Sequence, residues 1–101
     1  MQAQLEIRHL AVVTAIVEEG GVTKAGRRLH LTQSALSHRL RDAEEKIGTA
    51  LFLRCKKKMV LTPAGEKLLT AAKRILADLG EIEHSLRNGA NTAVEAVAQG
   101  R

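Results

Sequence analysis

One stretch of the chain, LTQSALSHRLRDAEEKIG at residues 31–48, carries several side chains that can exchange hydrogen bonds with a partner. Glutamine and serine both donate and accept hydrogen bonds, whereas arginine adds a fixed charge and several donors. No acidic side chain interrupts the set before Asp42. A helical face that only meets water usually carries Glu and Lys, so this mixture predicts a contact surface. Its members are Gln33, Ser34, Ser37, His38 and Arg41.

The same stretch predicts a helix that presents these side chains on one side. Thr32 precedes it and is a preferred N-cap residue, because its hydroxyl can accept a hydrogen bond from a free backbone N–H. Gly48 follows and predicts its end, since glycine readily takes the left-handed conformation of a C-cap. Apolar residues at spacings of 4, 3 and 4 predict the buried side. They are Leu36, Leu40, Ala43 and Ile47.

Two helices are predicted before this one, and a β hairpin and a long helix after it. The first helix ends at Gly20-Gly21, and a short second helix follows from about Val22 to His30. Residues 50–62 predict two short strands joined by a basic turn. Thr62-Pro63 then begins the last helix, with Thr as N-cap and Pro at the first helical position.

The positive charge of the chain is concentrated in its middle. The 101 residues carry a net charge of +5, but residues 24–67 hold 11 Lys/Arg against 4 Asp/Glu, a balance of +7, and the remainder has a balance of −2. A concentrated basic patch most often meets nucleic acid. A solvated basic surface without a partner is the alternative that charge alone leaves open.

Short helices joined by a tight turn and followed by a basic hairpin predict a helix-turn-helix with a wing. In this motif the second helix enters the major groove of DNA, so Thr32 and the contact surface would face the bases. Gln suits adenine, Arg suits guanine or phosphate, and Ser suits either. Arg54, inside an apolar strand, and Lys56, Lys57 and Lys58 at the tip would contact the DNA backbone or minor groove. A three-Lys run also fits a solvated loop, and many three-helix domains do not bind DNA.

The last helix carries an apolar seam at spacings of 4, 3, 4, 3 and 4, the pattern of a coiled-coil a/d stripe. A helix folded back on its own domain is one interpretation. Three short helices are too few to cover so long a stripe, which favours the helix of a second copy and hence a homodimer. Residues 89–101 are weakly patterned and are predicted to be flexible. The seam consists of Leu68, Ala72, Ile75, Leu79, Ile82 and Leu86.

Nothing in the sequence favours catalysis or a metal site. The histidines and the single cysteine show no metal-ligand spacing, and the chain has no glycine-rich phosphate loop or nucleophile elbow. A rival without catalysis is a dimerisation adaptor whose basic surface only maintains solubility. Such an adaptor would not need Gln33, Ser34 and Ser37 on one helical face. The residues tested for metal spacing are His9, His30, His38, His84 and Cys55.

The sequence also predicts a soluble, cytoplasmic protein. A single cysteine allows no internal disulfide, which fits a reducing compartment. No positively charged segment followed by an apolar one opens the chain, and no apolar run approaches the length of a bilayer span.

The run LHLTQSALSHRLRDAEEKIGTALFLR, continued by LTPAGEKLL, resembles the N-terminal DNA-binding domain of the LysR-type transcriptional regulators. The resemblance covers about residues 5–88 and implies a mainly α winged helix-turn-helix that binds duplex DNA as a dimer. It places the head at 1–62, with the helix-turn-helix near 21–40 and the wing near 50–62, and a linker helix at 63–88. LTQSALSH is further similar to the branch that regulates methionine biosynthesis. The matching motifs are Thr32-Gln33, Leu36-Ser37, Glu44 or Glu45 with Ile47-Gly48, Leu51-Phe52 with Arg54, and Leu61-Thr62-Pro63 with Gly65.

The resemblance also implies what lies outside this chain. Members of the family are much longer, form tetramers, and bind a small-molecule effector in a two-lobed C-terminal domain. That domain is missing from this sequence, so we expect no cofactor here and a fragment of a longer protein, with a naturally short protein as the alternative. The chain departs from the family pattern at Gly21, Gly26 and His38, where Ser, Ala and Arg are usual.

Overall fold

Four helices and one two-stranded antiparallel sheet make up the computed structural model, which describes residues 4–88. This arrangement confirms the predicted mainly α fold with a short β wing. The predicted flexible tail at 89–101 lies outside the described residues. Within residues 4–88 no helix is both long and apolar enough to cross a bilayer. The elements are α1 Ile7–Glu19, α2 Val22–Leu29, α3 Gln33–Ile47, β1 Phe52–Cys55, β2 Lys58–Leu61 and α4 Pro63–Asn88.

The core is aliphatic and centres on α1, which packs against α2, α3 and α4. Val12, Val13 and Ile16 of α1 and Leu36 of α3 are fully buried or nearly so. Burying one such side chain contributes about 1.5–3 kcal/mol. The only aromatic residue, Phe52, closes the core at the base of the wing. The core therefore fixes α3 against α1 through its apolar side.

One residue predicted to face the core does not. Ile47 is 42% exposed, so its assignment to the buried side of α3 was wrong. The ammonium of Lys46 already reaches the N-cap residue of α1, Glu6, at 3.8 Å. The C-terminal end of α3 therefore lies near the start of α1, where little of α1 is available to cover Ile47.

The helix ends follow the predicted capping residues. The Thr32 hydroxyl accepts a hydrogen bond from Ala35 N at 3.0 Å, and Gly20 and Gly48 end their helices with φ of 82° and 77°. The second helix ends one residue earlier than predicted, because His30 takes the left-handed conformation with φ 58°. In the same turn, a Cβ on Gly26 would lie 2.8 Å from the Leu31 carbonyl oxygen, so a methyl group requires a backbone shift.

The wing is a hairpin in which Phe52 pairs with Leu61 and Cys55 pairs with Lys58. Its turn consists of Lys56 and Lys57 alone, since Lys58 already belongs to β2. Both turn residues have positive φ, 50° and 68°, as a type I′ hairpin turn requires, a conformation that Asn and Gly adopt most readily. The wing thus holds two lysines in a conformation that is unfavourable for them.

The apolar seam of α4 divides into two parts. Ala72 is fully buried within the domain, and Leu68 packs against the core cluster. Ile75, Ile82 and Leu86 are 39%, 53% and 65% exposed. Because α1 packs against the N-terminal half of α4, that half of the predicted partner-facing seam is covered within the domain itself. Only the C-terminal half of the seam remains exposed.

Candidate nucleic-acid interface

The outer face of α3 is open to solvent over its length. Gln33, Ser34, His38 and Arg41 are exposed, and Ser37 is half-buried. The structure therefore brings the predicted contact surface together on one side of a helix whose opposite side is buried. Such a helix can enter the major groove without disturbing the core.

At its N-terminus α3 is tied to α2 and to the preceding turn. Thr32, predicted as a DNA contact, uses its hydroxyl oxygen as acceptor in the N-cap, so its first role is structural. The hydroxyl of Thr23, in α2, donates a hydrogen bond to Oε1 of Gln33 at 3.2 Å. The sequence did not point to Thr23, because only the packing of α2 against α3 brings it close to Gln33.

In its C-terminal half α3 is tied to α1 through a buried histidine. His9 is fully buried, and its Nε2 lies 2.7 Å from Oδ2 of Asp42. Its Nδ1 accepts a hydrogen bond from the backbone N–H of Glu6 at 2.9 Å. Because Nδ1 is an acceptor, the ring proton is on Nε2 and is donated to Asp42. The hydrogen bond from His9, with Lys46 at 3.3 Å, lowers the pKa of Asp42 below its ordinary value.

From the sequence, His9 was expected only to lie at the surface or to pack, and in the structure it is a packing residue with a specific partner. The 33-residue separation of His9 and Asp42 carries no periodic signal. The one available sign was Asp42 itself, the first acidic residue of α3 after a run of polar and basic side chains.

A carboxylate of α3 also holds the wing. Oε2 of Glu44 accepts hydrogen bonds from the backbone N–H groups of Leu51 and Phe52, at 2.7 and 3.3 Å. These donors open β1, where the ladder with β2 begins at Phe52. The residues of the family-like motif Glu44 and Leu51-Phe52 are therefore direct partners, and α3 and the wing form one unit.

The cations of the domain fall into paired and unpaired groups. Arg28 contacts Glu18 at 2.7 Å and Glu19 at 3.3 Å, and the hydrogen bond to Glu18 is the main cause of its raised pKa. Arg8 and Lys46 are paired with Glu6 or Asp42. Among residues 4–88, the cationic side chains predicted to contact DNA form no ion pair with a described carboxylate, so their positive charges are available to bind a polyanion. These are Arg41, Arg54, Lys56, Lys57 and Lys58.

A groove of about 730 Å³ runs along α3 on the side of α1. It is lined by Ser34, His38 and Arg41 of the predicted surface, and by Arg8 and Arg39, which the sequence did not single out. The spacing of Arg39 from Asp42 and Lys46 would have placed it on this side of the helix. The basic surface is thus wider than the predicted contact set.

The part of the chain that the structure describes contains no cluster of three or more His, Cys, Asp or Glu side chains suited to a metal ion. Cys55 is exposed on the wing as a free thiol.

A buried three-helix core, an exposed polar helix after a tight turn and a basic hairpin define a winged helix-turn-helix domain. Residues 7–66 match the family described as "Bacterial regulatory helix-turn-helix protein, lysR family". The chain belongs to the lysR family, as the motifs from Thr32 to Gly65 indicated.

Relatives and solved structures agree with this assignment. The HTH-type transcriptional regulator MetR of Haemophilus influenzae is 38% identical over 98 residues, which cover 90% of this chain and 32% of that protein. The structure titled "BenM_DBD/catB site 1 DNA Complex" superimposes with a TM-score of 0.79 at 30% identity and covers 85% of this chain and 96% of that chain. A CbnR_DBD-DNA complex superimposes with a TM-score of 0.74 at 31% identity and covers 85% of this chain and 99% of that chain. This chain spans about a quarter to a third of the curated relatives it matches.

Proposed function

We propose that this domain binds operator DNA in a sequence-specific manner, as the DNA-binding part of a transcriptional regulator. The observation that carries the proposal is the two-sided build of α3, apolar and buried behind and polar and exposed in front. The similar domains BenM_DBD and CbnR_DBD were solved in complex with DNA, and they share this fold over 85% of the present chain. Fluorescence anisotropy on labelled duplexes tests the proposal.

Binding should weaken steeply as salt rises, because each phosphate neutralised by Lys or Arg releases condensed counterions. The slope of log K against log salt should be about −0.9 for each phosphate contacted. Affinity that is constant between about 50 and 200 mM salt would refute DNA binding. It would favour the adaptor interpretation, in which the basic surface only maintains solubility.

Within this proposal, Gln33 and Ser34 read bases, Arg41 contacts guanine or phosphate, and the wing contacts the backbone or minor groove. Gln33→Ala should cost about 1–3 kcal/mol on a selected site and little on random DNA. Lys57→Ala is the matched control, since loss of a phosphate contact weakens both alike. Equal losses for Gln33→Ala on both DNAs would remove Gln33 from the base-reading set.

We also propose that the exposed half of α4 pairs two copies of the domain. Ile75, Leu79, Ile82 and Leu86 remain without full cover on the domain itself. One recognition helix reads few base pairs, and a two-fold dimer doubles the readout on a symmetric site. Antiparallel pairing, as in the family, would give an interrupted inverted repeat whose half-sites are about one helical turn apart.

For the longer protein of which this domain is characteristic, we propose a cytoplasmic regulator whose small-molecule effector binds outside this region. The 38% identity to MetR and the motif LTQSALSH favour regulation of methionine biosynthesis. Selection of genomic DNA fragments by the purified domain, followed by sequencing, tests the assignment of target genes.

A further inference from the structure

The side-chain amide of Gln33, proposed above to read a base, has a hydrogen-bond partner on the neighbouring helix α2. Gln33 is the first residue of α3 and Thr23 is the second residue of α2, so the two N-termini lie side by side. The Thr23 hydroxyl donates to Oε1 of Gln33 at 3.2 Å, and both side chains are exposed at the face that would meet DNA. The contact therefore belongs to the recognition surface and not to the core.

A glutamine amide has a carbonyl acceptor at one end and an NH₂ donor at the other, and the two ends have nearly the same shape. The torsion that exchanges them is broad and roughly two-fold, so an unrestrained Gln can offer either order of donor and acceptor to a base edge. Base discrimination in the major groove depends on that order, because each base pair presents its own pattern of donors and acceptors.

We infer that Thr23 is a positioning residue that sets the base preference of Gln33 by holding its carbonyl toward α2. Both Nε2 hydrogens then point away from α2, where they can donate to a base acceptor such as a purine N7. This inference rests on the proposed function, since it concerns how the same surface reads DNA. Thr23 itself makes no base contact in this arrangement.

Thr23→Val preserves the shape of the side chain and removes the hydroxyl, and Thr23→Ser keeps the hydroxyl. On a set of duplexes that vary the base pair read by Gln33, Thr23→Val should reduce discrimination about three- to tenfold, the equivalent of one hydrogen bond. Thr23→Ser should restore it. Affinity for random DNA and the urea midpoint should be unchanged in both variants, which a structural role for Thr23 would not predict.

A double-mutant cycle decides whether the effect passes through Gln33. In the Gln33→Ala background, Thr23→Val should have no further effect on discrimination. Replacing the contacted purine by its 7-deaza analogue should weaken wild-type binding and leave Gln33→Ala binding unchanged, because the acceptor for Nε2 is gone.

The possible contradictions are distinct. Additive effects of the two substitutions, or loss of random-DNA affinity in Thr23→Val, would overturn the inference and make Thr23 an independent phosphate contact. A wild-type domain that is insensitive to the 7-deaza substitution would overturn the assigned direction of the amide. A wild-type domain that binds no DNA would overturn the proposed function together with this inference.

Discussion

Gly65, near the start of α4, lies close to backbone at the base of the wing. A Cβ at this position would be 2.1 Å from the Leu51 carbonyl oxygen and 2.8 Å from Cδ2 of Leu61. The same carbonyl oxygen accepts a hydrogen bond from the Thr62 backbone N–H at 3.0 Å. Gly65→Ala therefore forces α4 away from the wing at the point where Thr62 caps it.

The expected cost of Gly65→Ala follows from three opposing contributions. Overpacking against backbone costs about 1–3 kcal/mol, and loss of the hydrogen bond between Thr62 and Leu51 costs about 1 kcal/mol. The higher helix propensity of Ala returns about 1 kcal/mol. The net destabilisation is about 1–3 kcal/mol, which lowers the melting temperature by several degrees or more for a domain of this size.

Gly80→Ala is the matched control, because Gly80 lies in the same helix and a Cβ there meets no atom within 4 Å. It should stabilise the domain by up to about 1 kcal/mol through propensity alone. Urea unfolding followed by circular dichroism measures both variants. If Gly65→Ala were as stable as Gly80→Ala, the close approach of α4 to the wing would be refuted.

Three further predictions follow from other regions. Ile82→Asp, which places a carboxylate in the exposed half of α4, should raise the dimer dissociation constant about a hundredfold or more, measured by sedimentation equilibrium. The control Ala77→Asp should not change this constant. A wild type that is monomeric at tens of micromolar would contradict the dimer. Replacing the turn Lys56-Lys57 by Asn-Gly should stabilise the hairpin by about 1–2 kcal/mol and reduce the salt slope of DNA binding by about two, measured by urea unfolding and anisotropy; an unchanged slope would show that the tip contacts no phosphate. His9 and then Lys46 lower the pKa of the Asp42 carboxyl in the folded protein. The ionised carboxylate therefore stabilises the fold at pH values above its ordinary pKa of about 4. This stabilisation is lost as the pH falls through the lower pKa of the folded state. Urea midpoints between about pH 4 and 2 should therefore fall faster for wild type than for Asp42→Asn, and parallel curves would contradict this.

Local signals were sufficient for the helices and for the face of α3. A capping threonine, a terminal glycine and an apolar period of 3.6 act within one helix, so Thr32, Gly48 and Leu36 could be placed without a neighbour. The exposed polar side of α3 followed from the same period. The two strands of the wing and the start of α4 at Thr62-Pro63 were also predicted from local patterns, and the family resemblance agreed with them.

The interactions between elements could not be predicted, because they depend on how the helices cross. The hydrogen bond from His9 to Asp42 joins residues 33 positions apart, and the bond from Thr23 to Gln33 needs α2 and α3 to start side by side. Ile47 was assigned to the buried side because the apolar period carries no information about where the neighbouring helix begins. The α4 seam was read as one surface because the sequence does not say how far α1 extends along it.

The carboxylate of Glu44 has a consequence for the DNA sequences that the domain accepts. Its Oε2 accepts hydrogen bonds from the backbone N–H groups of both Leu51 and Phe52, at the base of the wing. These bonds restrain the distance from the proposed base-reading face of α3 to the lysines of the wing. One inserted base pair shifts the backbone by about 3.4 Å and turns it by about a tenth of a helical turn, which a rigid unit cannot follow. In the proposed dimer, each half-site would therefore be a footprint of constant length, and variation in operator length would be confined to the spacer between the two halves.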